Sequence, residues 1–340
     1  MKDLNGYMTG YQKNWRKDHI ATREWGLWKG EPYAWLVPYA DWEEGLWPGI
    51  RSGSDCSLPD YLEATAVRKH VGVHNLKSSW VLCANVYFPF GASEQGRDLL
   101  AGFLRNYVSP DIESVQALEL EYEEERTGPL HQSVLLGEEG GGRGAGQTSP
   151  DLAFLVNGGR GLVLTEVKFV EHSFYPCSAH SRQGSAERPG NPDPSRCENA
   201  LGVLAHPAAM CHQVAWGRLY WDHLAPAIDD GKLRMLDCCP AARAGYQLFR
   251  QQALAEGIAV SGKYGLTITC VAMDERNGTL SHCLASTGIE HVRQWGELFQ
   301  GESRFSLFSH QQWVAWVREH GGREWSDWLR YVQSRYESLP

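Results

Sequence analysis

The chain has 340 residues, with 41 Asp and Glu against 32 Lys and Arg, for a formal net charge of −9. Hydrophobic residues at 42% and charged residues at 21% are ordinary globular composition, which excludes a disordered or fibrous chain. No run approaches the ~20 apolar residues of a membrane span, and the start has no apolar signal core, so a cytoplasmic protein is expected. The acidic balance argues against a basic coat, although a local basic groove remains compatible with it. Nine cysteines, an odd number without an export signal, suggest free thiols or metal ligands rather than disulfides.

Residues 1–57 are rich in Trp, Gly and charge and read as an irregular extension. Tryptophans gather at both ends of the chain, for example Trp15, Trp28, Trp35 and Trp42, then Trp313 and Trp328. Core packing is the plain reading of them; base stacking or a protein interface is the alternative. A helix is expected from Leu58 to about Lys69, capped by Ser57 or Asp60. The apolar run Trp80–Phe88 fits either a buried helix or a strand. Gly96–Tyr107 has the spacing of an amphipathic helix. In Val115–Glu123 the residues alternate, with Leu118, Leu120 and Tyr122 on one face and Glu119, Glu121 and Glu123 on the other.

The glycine-rich run Glu138–Gln147 is expected to be a flexible loop. It is followed by Pro150-Asp151 and a hairpin: Leu152–Val156, a turn near Asn157–Gly161, and Leu162–Val170. Residues 175–240 break the rhythm and read as an insertion, in which the stretch Asn199–His223 reads as helical in its second half. A helix over Tyr246–Glu256 and a strand over Leu266–Met273 come next. The last third is expected to be helical at Ile289–Phe299, Ser309–His320 and Arg323–Ser334. The expected division is thus an extension (1–57), a core (58–280) and a helical region (281–340).

The chemistry centres on the hairpin. Glu166 and Lys168 are two apart on a strand and share a face, whereas Val167 and Phe169 point to the other. Asp151 opens the antiparallel partner and comes level with them. Two carboxylates suit Mg²⁺, which takes hard oxygen ligands and keeps room for water and phosphate; the Val167 carbonyl could add a ligand. Lys168 could orient water or offset charge growing on a phosphate. A surface salt bridge on a hairpin is the plain alternative. Against it, the charges sit in an otherwise apolar strand, where they are costly unless used or paired.

The stretches Asn75–Pro89, Leu118–Tyr122, Ser149–Phe154, Leu164–Glu171 and Tyr246–Arg250 resemble the PD-(D/E)xK nuclease superfamily. More narrowly, they resemble a bacterial group of restriction endonucleases within it. The resemblance implies an α/β fold with a mixed, restriction-endonuclease-like sheet flanked by helices. It also implies a nuclease dependent on Mg²⁺ (or Mn²⁺), cutting DNA in preference to RNA, with a role in restriction or phage defence. Asp151 and Glu166 would ligate the metal, Lys168 would serve the water, and Gln247 would orient Lys168 or the phosphate. Glu63 and Glu121 compete for a further acidic role, and Glu171 and Arg250 would support the site. His212-Gln213-Val214 with Tyr220 is a rival for the Gln-bearing helix. A homodimer or a defence-system partner protein would follow from the need to cut two strands.

Cys177, Cys197, Cys211 and Cys238, with His180, His206, His212 or Cys239 as alternates, could hold Zn²⁺ or an iron–sulfur cluster; the irregular spacing leaves free thiols as the default. Arg143, Arg160, Lys168, Arg182, Arg196, Arg243 and Arg250 could line a phosphate track or be ordinary solvated surface. Two other readings stay open: a non-cleaving nucleic-acid-binding or scaffold module, and a zinc-stapled interaction protein.

Overall fold

In the computed structural model, residues 3–185 and 188–337 are described. Helix α1 (Leu4–His19) is capped by Asp3, whose carboxylate accepts from the Gly6 amide. A tight hairpin follows, β1 (Gly26–Trp28) and β2 (Glu31–Tyr33), turning through Lys29 and Gly30, both at positive φ. Such a turn matches the twist of the strands it joins. The root of this hairpin is stitched to residues 74–76: the amide of Val37 donates to the His74 carbonyl and that of Leu76 to the Trp35 carbonyl.

Helix α2 (Leu58–Ala64) is capped by Ser57 but stops five residues short of the expected Lys69. Ala66 lies at φ 53, a left-handed turn that no helix accommodates. The ambiguous apolar run is helical: α3 (Ser79–Val86) is buried on nearly every side, and Pro89 starts a second short turn, Phe88–Gly91. Helix α4 (Glu94–Tyr107) follows, capped by Ser93.

Five strands form one sheet: β3 (Val115–Leu120), β4 (Leu152–Val156), β5 (Gly161–Lys168), β6 (Leu266–Met273) and β7 (Arg304–Ser309), in that order. The first three pair antiparallel, and β5–β6 and β6–β7 are parallel. The parallel crossover from β5 to β6 carries the insertion and then α5 (Tyr246–Val260). Strand β7 was not expected; its six residues sit between short turns and hide in a region otherwise read as helical. It completes the sheet, so residues beyond 280 belong to the core. After it come α6 (His310–His320) and α7 (Ser326–Tyr336), as expected within three residues, whereas Val292–Leu298 is a 3₁₀ turn.

Both faces of the sheet are covered. Leu152, Phe154, Val163, Val167 and Cys270 pack against α3, α4, α6 and α7. Ala153, Leu162, Leu164 and Val271 pack against α5 and the short helices of the insertion. Those helices are Ala200–Ala205, Pro207–Met210, His212–Ala215 and Tyr220–Leu224, so short helices fill both halves of a stretch expected to be helical in its second half. No helix among the described residues is long and apolar enough to cross a membrane.

The tryptophans divide into two populations. Trp313 and Trp328 are fully buried, whereas Trp28 is 45% exposed. The Trp328 indole donates to the Asn85 carbonyl at 2.8 Å and meets the Phe90 ring at 4.8 Å. Trp328→Ala should cost about 3–5 kcal/mol in urea unfolding, as expected for a buried aromatic. Trp28→Ala should change stability by less than about 0.5 kcal/mol. Equal losses in the two variants would contradict this division.

Candidate active site

The end of the central hairpin gathers the charges. Leu152 pairs with Thr165, so Asp151 and Glu166 stand at the next level of the ladder. An Asp151 carboxylate oxygen, Oδ2, accepts from the Val167 amide at 2.7 Å. The Lys168 ammonium donates to Glu166 Oε1 at 2.5 Å. Every residue of β5 is buried, and Glu166 and Lys168 lie on the face shared with Leu162 and Leu164, toward α5. The opposite face, with Val167 and Phe169, is packed in the other half of the core, as the strand period requires.

Glu121 completes the cluster through a break in the alternation expected for residues 115–123. It ends β3 at φ 51, and its amide donates to the Asp151 carbonyl at 3.1 Å. The chain runs on, the Tyr122 amide donating to the Pro150 carbonyl, but the alternation shifts, so Tyr122 packs in the second core cluster rather than beside Leu118 and Leu120. The Arg143 guanidinium holds this turn, donating to the carbonyls of Leu120 and Glu121 and to Glu119 Oε2. Burial, with the charges of Asp151 and Glu166, pushes the Glu121 carboxyl well above the usual range; the Trp80 indole donates to it. Asp151 is pushed up to about 8, chiefly by loss of water and then by Glu166. Burial alone would lower the Lys168 ammonium, but Glu166, Asp151 and Glu171 outweigh it and raise it.

Two cavities meet here. One of about 610 Å³ and one of about 160 Å³ share His70, Asp151, Glu166 and Gln247 in their walls. Gln247 sits in the first turn of α5, and its buried amide oxygen has no hydrogen-bond partner. Arg250, one turn on, lines the smaller cavity, stands over the Tyr246 ring and lies 3.8 Å from Glu138. The glycine-rich segment wraps this cavity through residues 144–149.

The structure thus brings together Asp151, Glu166, Lys168, Gln247 and Glu121, with Glu171 and Arg250 close by. Glu63 is exposed on α2, whose buried face is formed by Leu58 and Leu62, and it lines neither cavity. Gln213 is also elsewhere: its amide donates to the Tyr246 hydroxyl at 2.8 Å, and the Tyr220 hydroxyl donates to Glu138. The expected basic track shrinks to Lys168 and Arg250. Arg160 lies at the hairpin tip, at the far end of the strands, and Arg143 is spent on the Glu121 turn. Arg182, Arg196 and Arg243 bond within the insertion or to Ser286. Lys77 and the aromatic hairpin of the N-terminal extension line the larger cavity, and no spacing in the sequence pointed to them.

Among the described residues no group of three or more His, Cys, Asp or Glu side chains is arranged to hold a metal ion. Cys177, Cys197 and Cys211 do line one small apolar cavity, but with Cys239 rather than Cys238, since adjacent residues on a bend point apart. That cavity measures about 10 Å³, and burial holds the Cys177 thiol up at about 11. All nine cysteines are free. For Mg²⁺ the donor chemistry does fit: it needs only one or two carboxylates and keeps its waters. Asp151 and Glu166 supply those; burial first, and then their mutual repulsion with Glu121, raises the Asp151 and Glu121 carboxyls.

A mixed sheet with an acid–acid–lysine set at the end of its central hairpin defines a restriction-endonuclease-like protein. The chain belongs to the family described as Restriction Endonuclease associating with ARP (REase-ARP), whose profile matches residues 11–337. No curated protein and no solved structure matches it.

A carboxyl that binds its proton more tightly when folded stabilises the fold where it is protonated. In EDTA, stability should therefore fall as pH rises from about 4, the ordinary aspartyl range, through about 8, where folded Asp151 ionises. Asp151→Asn should flatten that slope in thermal melts. Mg²⁺ should raise the wild-type melting temperature more than that of Asp151→Asn, and equal effects would count against Asp151 as a ligand.

Proposed function

We propose that this chain is a divalent-metal-dependent nuclease that hydrolyses phosphodiester bonds in DNA. The observation that carries this reading is the complete set of Asp151, Glu166 and Lys168 at one sheet end, facing the unpartnered amide oxygen of Gln247. A retired site would have no need to keep charges in a strand buried along its whole length.

Asp151 and Glu166 would hold the cation, with the Val167 carbonyl as a further oxygen. A bound divalent ion supplies Lewis acidity and a more acidic water. The Lys168 ammonium, fixed on Glu166, offsets charge that develops on the phosphate. The Gln247 oxygen can accept from the attacking water or hold Lys168 in line. The water oxygen bonds to phosphorus, the bond from phosphorus to one sugar oxygen breaks, and that oxygen leaves with a proton. Glu121, the third carboxyl at this sheet end, would be a further oxygen donor beside Asp151 and Glu166. The family description supports a role in restriction of foreign DNA alongside a separate associated protein, which has more support than a homodimer.

Cleavage of plasmid, linear and single-stranded DNA with Mg²⁺, Mn²⁺ or EDTA tests the reading. Glu166→Gln and Lys168→Ala should each lower metal-dependent cutting by at least about 100-fold while remaining folded. Gln247→Ala should lower it by about tenfold, on the scale of a lost positioning contact. Metal-dependent cutting that survives both of the first two substitutions would overturn the site. Binding without any cutting would make the chain a nucleic-acid-binding module.

A further inference from the structure

The larger cavity is more than the catalytic site requires. Beyond the Asp151, Glu166 and Lys168 end, its wall includes Trp28, Tyr33 and Trp35 from the N-terminal hairpin, and Tyr175 from the chain just after β5. Trp28 and Tyr175 are 45% and 48% exposed, so these rings lie at the rim with open faces. Core packing explains the buried tryptophans of α6 and α7, but not these two. Tyr175 is held at φ 59, and its carbonyl accepts from the Tyr246 amide, which ties the ring's backbone to the start of α5. The hairpin is as firmly tied, since Lys77, over the Trp35 ring, donates to Asn5 and Thr9 on α1.

Size and charge narrow the occupant. A cavity of about 610 Å³ is in the range that buries a small organic ligand. A single nucleotide falls within that size, whereas a stacked, paired duplex would stay outside the recess and present only its backbone to it. Glu166 and Lys168 are only 6% and 3% exposed, so a phosphate reaches them only by entering the recess. Apart from Asp151, Glu166 and Glu171, the lining residues include no acid, whereas Lys77, His70, His74 and His172 are present. Neutral-to-basic walls with open aromatic faces suit an unstacked base on a polyanionic strand.

We propose that this cavity receives an unpaired nucleotide of the strand being cut, its base against Trp28 and Tyr175 and its phosphate at the carboxylates. The substrate is then single-stranded or locally opened DNA, not an intact duplex. This deepens, and rests on, the nuclease reading.

The test is fluorescence-anisotropy binding of a labelled single-stranded DNA oligonucleotide, the same sequence as a blunt duplex, and a duplex with a central bubble. Ca²⁺ replaces Mg²⁺ so that the strands survive. The wild type should bind the single strand and the bubble at least about tenfold more tightly than the duplex. Trp28→Ala and Tyr175→Ala should each weaken single-strand binding by about tenfold, within the range of one lost base stack, and leave duplex binding unchanged. Equal or tighter duplex binding, or single-strand binding that survives the double variant, overturns the proposal. Strand preference is read without catalysis: a protein that never cuts yet binds as expected would sink the nuclease reading and leave the strand site standing.

Discussion

The buried Glu166–Lys168 pair is the constraint around which the rest is arranged. Strand β5 is covered on both faces, so these charges have left water for a sheet interior. An ion pair so placed survives only when each charge keeps a close partner. Lys168 has Glu166 at 2.5 Å and stands over the Phe174 ring, with Asp151 and Glu171 adding to the field that keeps it charged. Carboxyl groups outnumber ammonium groups at this sheet end, and the proposed cation site rests on that imbalance.

Every neighbouring element is placed to serve that sheet end. The left-handed turn at Glu121 ends β3 where the strand would otherwise carry the carboxylate past the site. The parallel crossover brings the start of α5 over the same edge, so Gln247 and Arg250 arrive from a segment about eighty residues downstream. The insertion burrows into the second core through Tyr220 and Trp221 against Phe249. It therefore braces α5 from behind, while α5 itself keeps its first turn at the cavities.

The sequence was most legible where local chemistry and the sheet agree. Asn157-Gly158-Gly159 announces the hairpin, and the two-residue period then places Glu166 and Lys168 on one face and Val167 and Phe169 on the other. Less legible was whatever depends on one backbone angle. A positive φ at Ala66 shortens α2, and a positive φ at Glu121 shifts the alternation of β3 and buries a carboxyl expected on its polar face beside the site. Least legible were contacts made across the whole chain: β7 was lost among helices, and Trp28 and Lys77 carry no motif that ties them to a site formed by residues 151–168. Of the two adjacent cysteines that spacing left as alternates, Cys239 lines the small cavity with the other thiols of the insertion.

The N-terminal hairpin has one further consequence. Its shape rests on the Lys29-Gly30 turn and on backbone hydrogen bonds to residues 74–76, none of which uses the side chains of Trp28 or Tyr33. The wall that meets the incoming strand can therefore vary in side chain without disturbing the carboxylates, which hang from a different part of the fold. Reaction and recognition are in this sense separately heritable: a change of preferred base is open to a few substitutions in a three-residue strand, while the chemistry stays locked in the sheet.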